Sequence, residues 1–261
     1  MKRLYDAFSC EALKVMHSKI VWITFLAFLI VPFIGGFFML ILKDPEVARS
    51  YGLIGAKAQL TVGTADWISY FEFLAQAVSI GGLFVFGFVS SWVFGREYSD
   101  RTVKDLLALP ISRTHIVGAK FITILLWCII LSAIVLMMGL WVGNMVALPG
   151  WSRELVVKGC EIFAISSILT IALSSPVAFF ACVGRGYLAP LGFVVFTLIL
   201  ANIVAVTGYG EFFPWAVPAL YSQVAGEENA LPGSISYLLV ILTSFAGLIG
   251  TICWWRYADH T

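Results

Sequence analysis

The chain has 261 residues, of which 61% are hydrophobic and 12% are charged. Soluble domains contain about half apolar and one quarter charged residues, so this composition excludes an ordinary soluble protein and indicates a membrane protein. The net charge of +1 gives no reason to expect nucleic acid as a partner. The five cysteines have no paired spacing, which argues against a metal site or a disulfide framework.

An amphipathic pattern occupies residues 1–19. Apolar residues recur there at helical spacing with charged residues around them, which predicts a helix at the membrane interface. Glu11 falls on the apolar stripe and interrupts it. The apolar run that follows is too long for a secretory signal and has no small-residue cleavage site after it, so we expect it to be retained as a span.

Six apolar segments are long enough to cross a bilayer, for which about 20 residues are needed. None of them contains Asp, Glu, Lys or Arg. The sequence therefore predicts an all-α membrane protein with a single transmembrane domain over 1–261. The predicted spans are 20–42, 73–94, 121–148, 162–183, 187–206 and 235–255.

The distribution of basic residues between the predicted loops gives the orientation. Eleven Lys and Arg residues, Lys120 among them, fall on the side of both termini, and five fall on the other side. Because cytoplasmic loops carry the excess of Lys and Arg, both termini are predicted to be cytoplasmic.

Residues 94–113 form an unusually charged segment between the second and third spans. On a helical wheel Val103, Leu106 and Leu107 share one face, and the charged residues take the opposite face. Ser99 or Asp100 can cap a helix here and Pro110 ends it, which predicts a short helix over 99–109. From the residues alone, two interpretations stay open: a loop packed on the protein's own helix ends, or an amphipathic helix that docks into a soluble partner.

The order R-E-x-x-D-R-T-x-K-x-L-L-x-L-P-I-S-R-x-x-I-x-x-x-K, from Arg96 to Lys120, resembles the ABC-2 type permeases of ATP-binding cassette exporters. In that family this segment is the coupling helix that docks into the ATPase subunit. Many members have Gly where this chain has Arg101. The resemblance implies docking roles for Glu97, Asp100, Arg101, Val103, Lys104, Leu106, Leu107 and Arg113.

The same resemblance implies a division of labour. This chain has no GxxxxGK[ST] sequence to bind phosphates, so it would hold no cofactor and would not itself be an enzyme. ATP and Mg would be bound by two copies of a separate ATPase subunit. A second permease copy, in a homodimer, and membrane lipids would be the other partners, in a bacterial plasma membrane.

A broken, aromatic-rich segment lies between the fifth and sixth spans, over 211–233. It is too apolar for a solvated loop and too short to span, and it resembles the short re-entrant external helices that form a gate in this family. The alternative is an aromatic belt at the interface. The gate residues expected are Phe212, Phe213, Pro214, Trp215, Pro218 and Tyr221.

Polar side chains within the spans are few. Asn202, Ser174 and Ser175 are the candidate pathway residues, and helix packing is the alternative role for the serines. A pathway of this kind suits an amphipathic or hydrophobic cargo, such as a peptide, lipid or drug, better than an ion.

The sequence therefore predicts a permease subunit of an ABC exporter. Two other functions remain open: a non-transporting immunity or sensor protein that binds a peptide, and a secondary carrier.

Overall fold

The computed structural model describes residues 2–43, 64–108, 110–222 and 232–258. Regular structure in these ranges is helical. Ten α-helices follow one another within the described ranges: α1 (Lys2–Met16), α2 (Lys19–Lys43), α3 (Trp67–Ser99), α4 (Val103–Ala108), α5 (Arg113–Met145), α6 (Arg153–Ala172), α7 (Ser174–Val183), α8 (Leu188–Val206), α9 (Val217–Ser222) and α10 (Ser234–Tyr257).

Six helical segments in the described part of the chain are long and apolar enough to cross a membrane. They are α2, α3, α5, α6 with α7, α8 and α10, which confirms the number and the order of the predicted spans. Most of them are longer than predicted. α3 and α5 have 33 residues each, and their extensions carry the charged residues Arg96, Glu97 and Lys120.

α3 is the central helix of the bundle. It packs against α5, α6, α7 and α8, and Tyr70, Leu74, Phe86 and Phe94 on it are almost completely buried. By contrast, α2, α8 and α10 bury only a minority of their residues. Their exposed faces carry large apolar side chains, as expected for the lipid-facing surface of a membrane protein.

Glycines allow α5 to approach α3 closely. A Cβ on Gly139 would lie 2.5 Å from Leu74, and one on Gly143 would lie 2.5 Å from Trp67. The GxxxG spacing of these two residues therefore serves packing within the chain, as small residues do in membrane helices.

The fourth span was predicted as one helix over 162–183, but it consists of two. α6 ends at Ala172, and α7 begins at Ser174. Pro176 has no N–H to continue the ladder. The Ser174 hydroxyl donates to the carbonyl of Ile171 at 2.7 Å, and the Ser175 hydroxyl lies 2.9 Å from that of Ala172. Hydroxyl groups beside the break thus provide hydrogen bonds to these backbone carbonyls.

This break packs directly on α10. The Ser175 hydroxyl lies 2.7 Å from the carbonyl of Ser244, and a Cβ on Gly247 would lie 2.4 Å from the backbone nitrogen of Pro176. Backbone atoms cannot move aside as a flexible side chain can, so this position requires glycine.

Gly247→Ala is expected to destabilise the protein by about 1–3 kcal/mol, the usual cost of overpacking. Thermal unfolding of the purified protein in detergent measures the loss. Gly81→Ala is the matched control, because a Cβ on Gly81 meets nothing within 4 Å. Equal melting temperatures for the two variants would contradict the close packing of α10 on the break.

Candidate functional site

Five charged side chains meet where α1, α3 and α5 converge, and we call them the ion cluster. Its members are Glu11, Lys14, Arg96, Glu97 and Lys120. Lys120 Nζ lies 2.8 Å from Glu97 Oε1 and 3.0 Å from Glu11 Oε2. Lys14 Nζ lies 3.0 Å from a carboxylate oxygen of each glutamate. Three cations thus share two carboxylates.

The ion cluster is buried at its centre and open at its rim. Lys120 is 0% exposed and Glu97 is 1% exposed, whereas the Lys14 side chain retains 29% of its accessible surface. Lys120 also donates to the carbonyl of Val93 at 3.1 Å. Arg96 lies at the rim, with its guanidinium 4.4 Å from the centre of the Trp92 ring. A charge buried this deeply is tolerated only when it is paired and hydrogen-bonded, as Lys120 is.

The pKa of Lys14 is raised above its ordinary value. Burial alone would lower this pKa, but the attraction of Glu11 and Glu97 for the ammonium is stronger. A raised pKa means that the stabilising contribution of Lys14 is complete at neutral pH and is lost only in strong base.

The ion cluster connects directly to the short helix α4. The Thr102 hydroxyl donates to the Glu97 carboxylate, and the Thr102 amide donates to the Glu97 carbonyl at 2.9 Å. Val103, the first residue of α4, is 5% exposed, and Leu106 packs against the core. α4 is therefore fixed to the end of α3 by hydrogen bonds and by apolar packing.

The turn before α4 differs from the predicted one. α3 continues to Ser99, and Asp100 is its C-cap, so neither residue caps α4, which begins at Val103. Arg101 lies between the two helices with φ of 60°, a left-handed conformation that glycine adopts without strain. This agrees with the glycine that many ABC-2 type permeases have here.

In the predicted docking arrangement the apolar face of α4 contacts a partner, but in the structure Val103 and Leu106 of that face pack on the protein itself. Val103 is turned into the protein, so its side chain is not accessible in this conformation. Arg101, Lys104 and Asp105 are exposed. The side chain of Leu107 lies outside the described part of the structure.

A cleft of about 470 Å³ opens between α1 and α4, beside the ion cluster. The carboxylates of Asp100 and Asp105 and the cations Lys14 and Arg96 line it together with Glu97. Arg113, also predicted to dock, donates instead to the carbonyls of Trp255 and Arg256 at 3.1 and 3.2 Å. It thereby fixes the end of α10 beside α5.

Part of the predicted gate is described, and residues 223–231 lie outside the described ranges. Residues 210–212 form a 3-10 turn and α9 follows. Phe213 and Trp215 pack together, with ring centres 5.5 Å apart, and Phe212 is exposed. The Pro218 carbonyl accepts a hydrogen bond of 3.0 Å from Ser79, and Tyr221 is buried. Pro214 lies in the turn before α9.

The three candidate pathway residues do not come together. Ser174 and Ser175 line a groove of about 230 Å³ between α5, the helix break and α10. Asn202 does not line it. Its side chain is exposed on α8 and donates to the carbonyl of Leu198 at 2.9 Å.

Of the five residues of the ion cluster, only Glu97 is among the predicted site residues; Glu11, Lys14, Arg96 and Lys120 are not. The sequence predicts Lys120 to be a loop residue that contributes to orientation, whereas it is completely buried in α5. In the sequence, Glu11 interrupts the apolar stripe of the first helix. That interruption was the available signal, because a carboxylate on a buried face needs a partner.

No group of three or more His, Cys, Asp or Glu side chains in the described ranges could hold a metal ion. The ion cluster is instead an arrangement of ion pairs between three helices.

Comparison with known proteins identifies the class of membrane protein to which this chain belongs. A model of the ABC-2 family transporter protein matches residues 7–202, which is most of the chain, and the chain therefore belongs to the ABC-2 family. It is the membrane subunit of an ABC transporter.

One relative is the bacitracin transport permease protein BCRB of Bacillus licheniformis. It is 29% identical over 179 residues, which cover 68% of this chain and 85% of the relative. No solved structure matches the chain.

Lys120→Met is expected to destabilise the protein by up to about 3–5 kcal/mol, because it removes the fully buried cation and leaves Glu11 and Glu97 only the partly exposed Lys14 and Arg96. The triple variant Lys120→Met, Glu11→Gln, Glu97→Gln should lose less, since it removes the two buried carboxylate charges as well. Unfolding by heat or denaturant in detergent measures both. Lys104→Met, at an exposed lysine, is the control and should change stability by less than about 0.5 kcal/mol. A triple variant less stable than the single one would contradict this account.

Arg101→Gly is expected to stabilise the protein by about 0.5–1 kcal/mol, because it removes the cost of a side chain in the left-handed region. The melting temperature of the purified protein shows whether the substitution stabilises or destabilises it. Arg101→Ala removes the same charge but keeps the Cβ, so it should not be stabilising. Equal effects of the two substitutions would attribute the change to charge rather than to backbone conformation.

Proposed function

We propose that this permease exports an amphipathic cargo and that ATP hydrolysis in a separate ATPase subunit drives it. The observation that carries this proposal is the position of α4: a short helix fixed to the end of α3, with polar residues facing outward. A helix that is held rigidly to a spanning helix can transmit a displacement of a bound partner to that span.

Docking of the ATPase would use the outward face of α4. Lys104 and Asp105 are exposed there, Asp100 and Arg101 are exposed just before the helix, and all four can pair with opposite charges of a partner. Leu107 keeps its predicted contact role. Val103 and Leu106 would act from inside, by holding α4 against the bundle, so their loss would move the docking surface rather than remove a contact.

Two copies of the ATPase, with ATP and Mg bound between them, would act on two copies of the permease. An argument for the second permease copy comes from Asn202. A strongly polar amide on the apolar outer face of α8 is costly in lipid, and a second copy over this face would cover it. The pathway would then run between the copies, and Asn202 would face it there.

The segment around α9 would be the gate at the end of the bundle opposite the ion cluster. Ser79, which bonds to Pro218, lies 12 residues along α3 from Trp67, which corresponds to about 18 Å at 1.5 Å per residue. α9 thus reaches toward the interior of the bundle, and its packing on α3 and α6 would let movement of those spans shift it.

The cargo class follows from the groove lining and from the relative. The groove at the helix break is mostly apolar with three serines, which suits a molecule with both apolar and hydrogen-bonding groups. Because the relative is named as a bacitracin transport permease, a peptide antibiotic of that kind is the first cargo to test.

The charge-swapped variant Lys104→Glu with Asp105→Lys is expected to lose the ATPase subunit on purification and to lower the inhibitory bacitracin concentration several-fold in complemented deletion cells. Both residues are exposed, so folding should not change. Arg153→Glu with Glu154→Arg is the matched control, an exposed swap at the opposite end of the bundle.

Retention of both the ATPase and the resistance in the α4 variant would overturn the docking proposal. Efflux that persists without ATP and follows an ion gradient would indicate a secondary carrier. Resistance accompanied by binding but no efflux would indicate an immunity protein.

A further inference from the structure

A long apolar cleft lies on the outer surface of the bundle, between α1, α2 and α5. Its volume is about 280 Å³. The walls are formed by Phe8 and Val15 of α1, Phe25 of α2, and Trp127, Ile130 and Ile134 of α5. None of these residues belongs to the ion cluster or to the outward face of α4, so the cleft is separate from the docking site proposed above.

The hydrogen-bonding groups that reach this cleft are already used. The Thr123 hydroxyl donates to the carbonyl of Ala119 at 2.9 Å, and the Trp127 indole N–H donates to the Thr24 hydroxyl at 3.3 Å. A ligand in the cleft would therefore be held by apolar contact. A polar group placed there would lose its own hydrogen bonds without compensation.

The shape of the cleft is elongated along the membrane-spanning direction. Its α5 wall runs from Thr123 to Ile134, which is about 16 Å at 1.5 Å per residue. An extended hydrocarbon chain fits such a groove better than a compact molecule does. Ile130 is 57% exposed, so the groove opens sideways onto the surface that faces lipid.

One end of the cleft carries basic groups. Met16 and Val21 both line the cleft, and the turn that joins them contains His17 and Lys19, which are exposed. A phospholipid with its tail in the groove would place its phosphate at this turn. Lys19 would favour an anionic headgroup, since basic residues near the membrane surface attract anionic lipids.

We propose that this cleft binds one acyl chain of an anionic membrane phospholipid, with the headgroup at the turn between α1 and α2. The lipid fills the space between α1 and the bundle and so holds α1, with Glu11 and Lys14, in place against α5. This role does not depend on which cargo the protein transports.

The test uses the full-length protein reconstituted in vesicles of phosphatidylglycerol and phosphatidylcholine, with a photoreactive group on an acyl chain of one lipid at a time. Labelling is expected to concentrate on the 126–134 part of α5 and to be several-fold stronger with phosphatidylglycerol. Ile130→Trp should reduce the labelling several-fold, because the larger ring fills the groove. Lys19→Gln should remove the preference for phosphatidylglycerol.

Ile129→Trp is the matched control. Ile129 is the neighbouring residue, 46% exposed, and it does not line the cleft, so this variant should label as the unsubstituted protein does. Ala12→Phe gives a second test, because it narrows the cleft from the α1 side and leaves the labelled helix α5 unsubstituted. It should also reduce the labelling.

Three results would overturn the proposal. Labelling spread evenly over the exposed faces of α2, α8 and α10 would mean ordinary surrounding lipid. Equal labelling of the Ile130→Trp and Ile129→Trp variants would exclude the groove. Cross-links between two protein chains at position 130 would identify a second copy as the occupant. Failure of ATPase docking would leave all three readouts unaffected.

Discussion

The packing of α1, α3 and α5 where they converge depends on the pairing of Lys120 with Glu11 and Glu97. An ammonium group at 0% exposure requires counter-charges at hydrogen-bonding distance, and these come from two different helices. The requirement fixes α1 against α3 and α5 at one point. Apolar contacts along α1 are compatible with several positions of that helix, whereas ion pairs of 2.8 and 3.0 Å are compatible with few.

Glu97 takes part both in the ion cluster and in the attachment of α4. Its carboxylate pairs with Lys14 and Lys120, and it also accepts the hydrogen bond of Thr102, immediately before α4. The N-terminal helix and α4 are therefore held by the same side chain, although they are almost 90 residues apart in sequence (Lys14 to Thr102). This explains why a strongly charged segment follows a buried span: part of its charge is used inside the protein.

The number and order of the spans could be predicted because apolar runs of sufficient length have few alternatives in a membrane protein. Their ends could not, because Lys120 and Glu97 enter the helices only by pairing with each other, and that pairing is a tertiary contact. The burial of Val103 could not be predicted for the same reason, because it too is a tertiary contact. Val103 and Leu106, two residues of the apolar face that the helical wheel predicts, pack on the core, but periodicity does not say whether the protein's own core or a partner covers such a face. The helix break at Leu173 was also missed, since a proline in a membrane span can equally leave a continuous, kinked helix.

The length of α3 has a mechanical consequence. Its 33 residues extend over about 50 Å, and the hydrocarbon layer is about 30 Å thick, so both ends of the helix project well beyond the apolar layer. Rotation of such a rod by 5° about its midpoint moves each end by about 2 Å. A displacement of that size exceeds the tolerance of a hydrogen bond. Tilting of α3 by a few degrees would therefore require α1, α4 and the neighbouring end of α5 to travel with it as one unit, or the ion pairs and hydrogen bonds that join them to break.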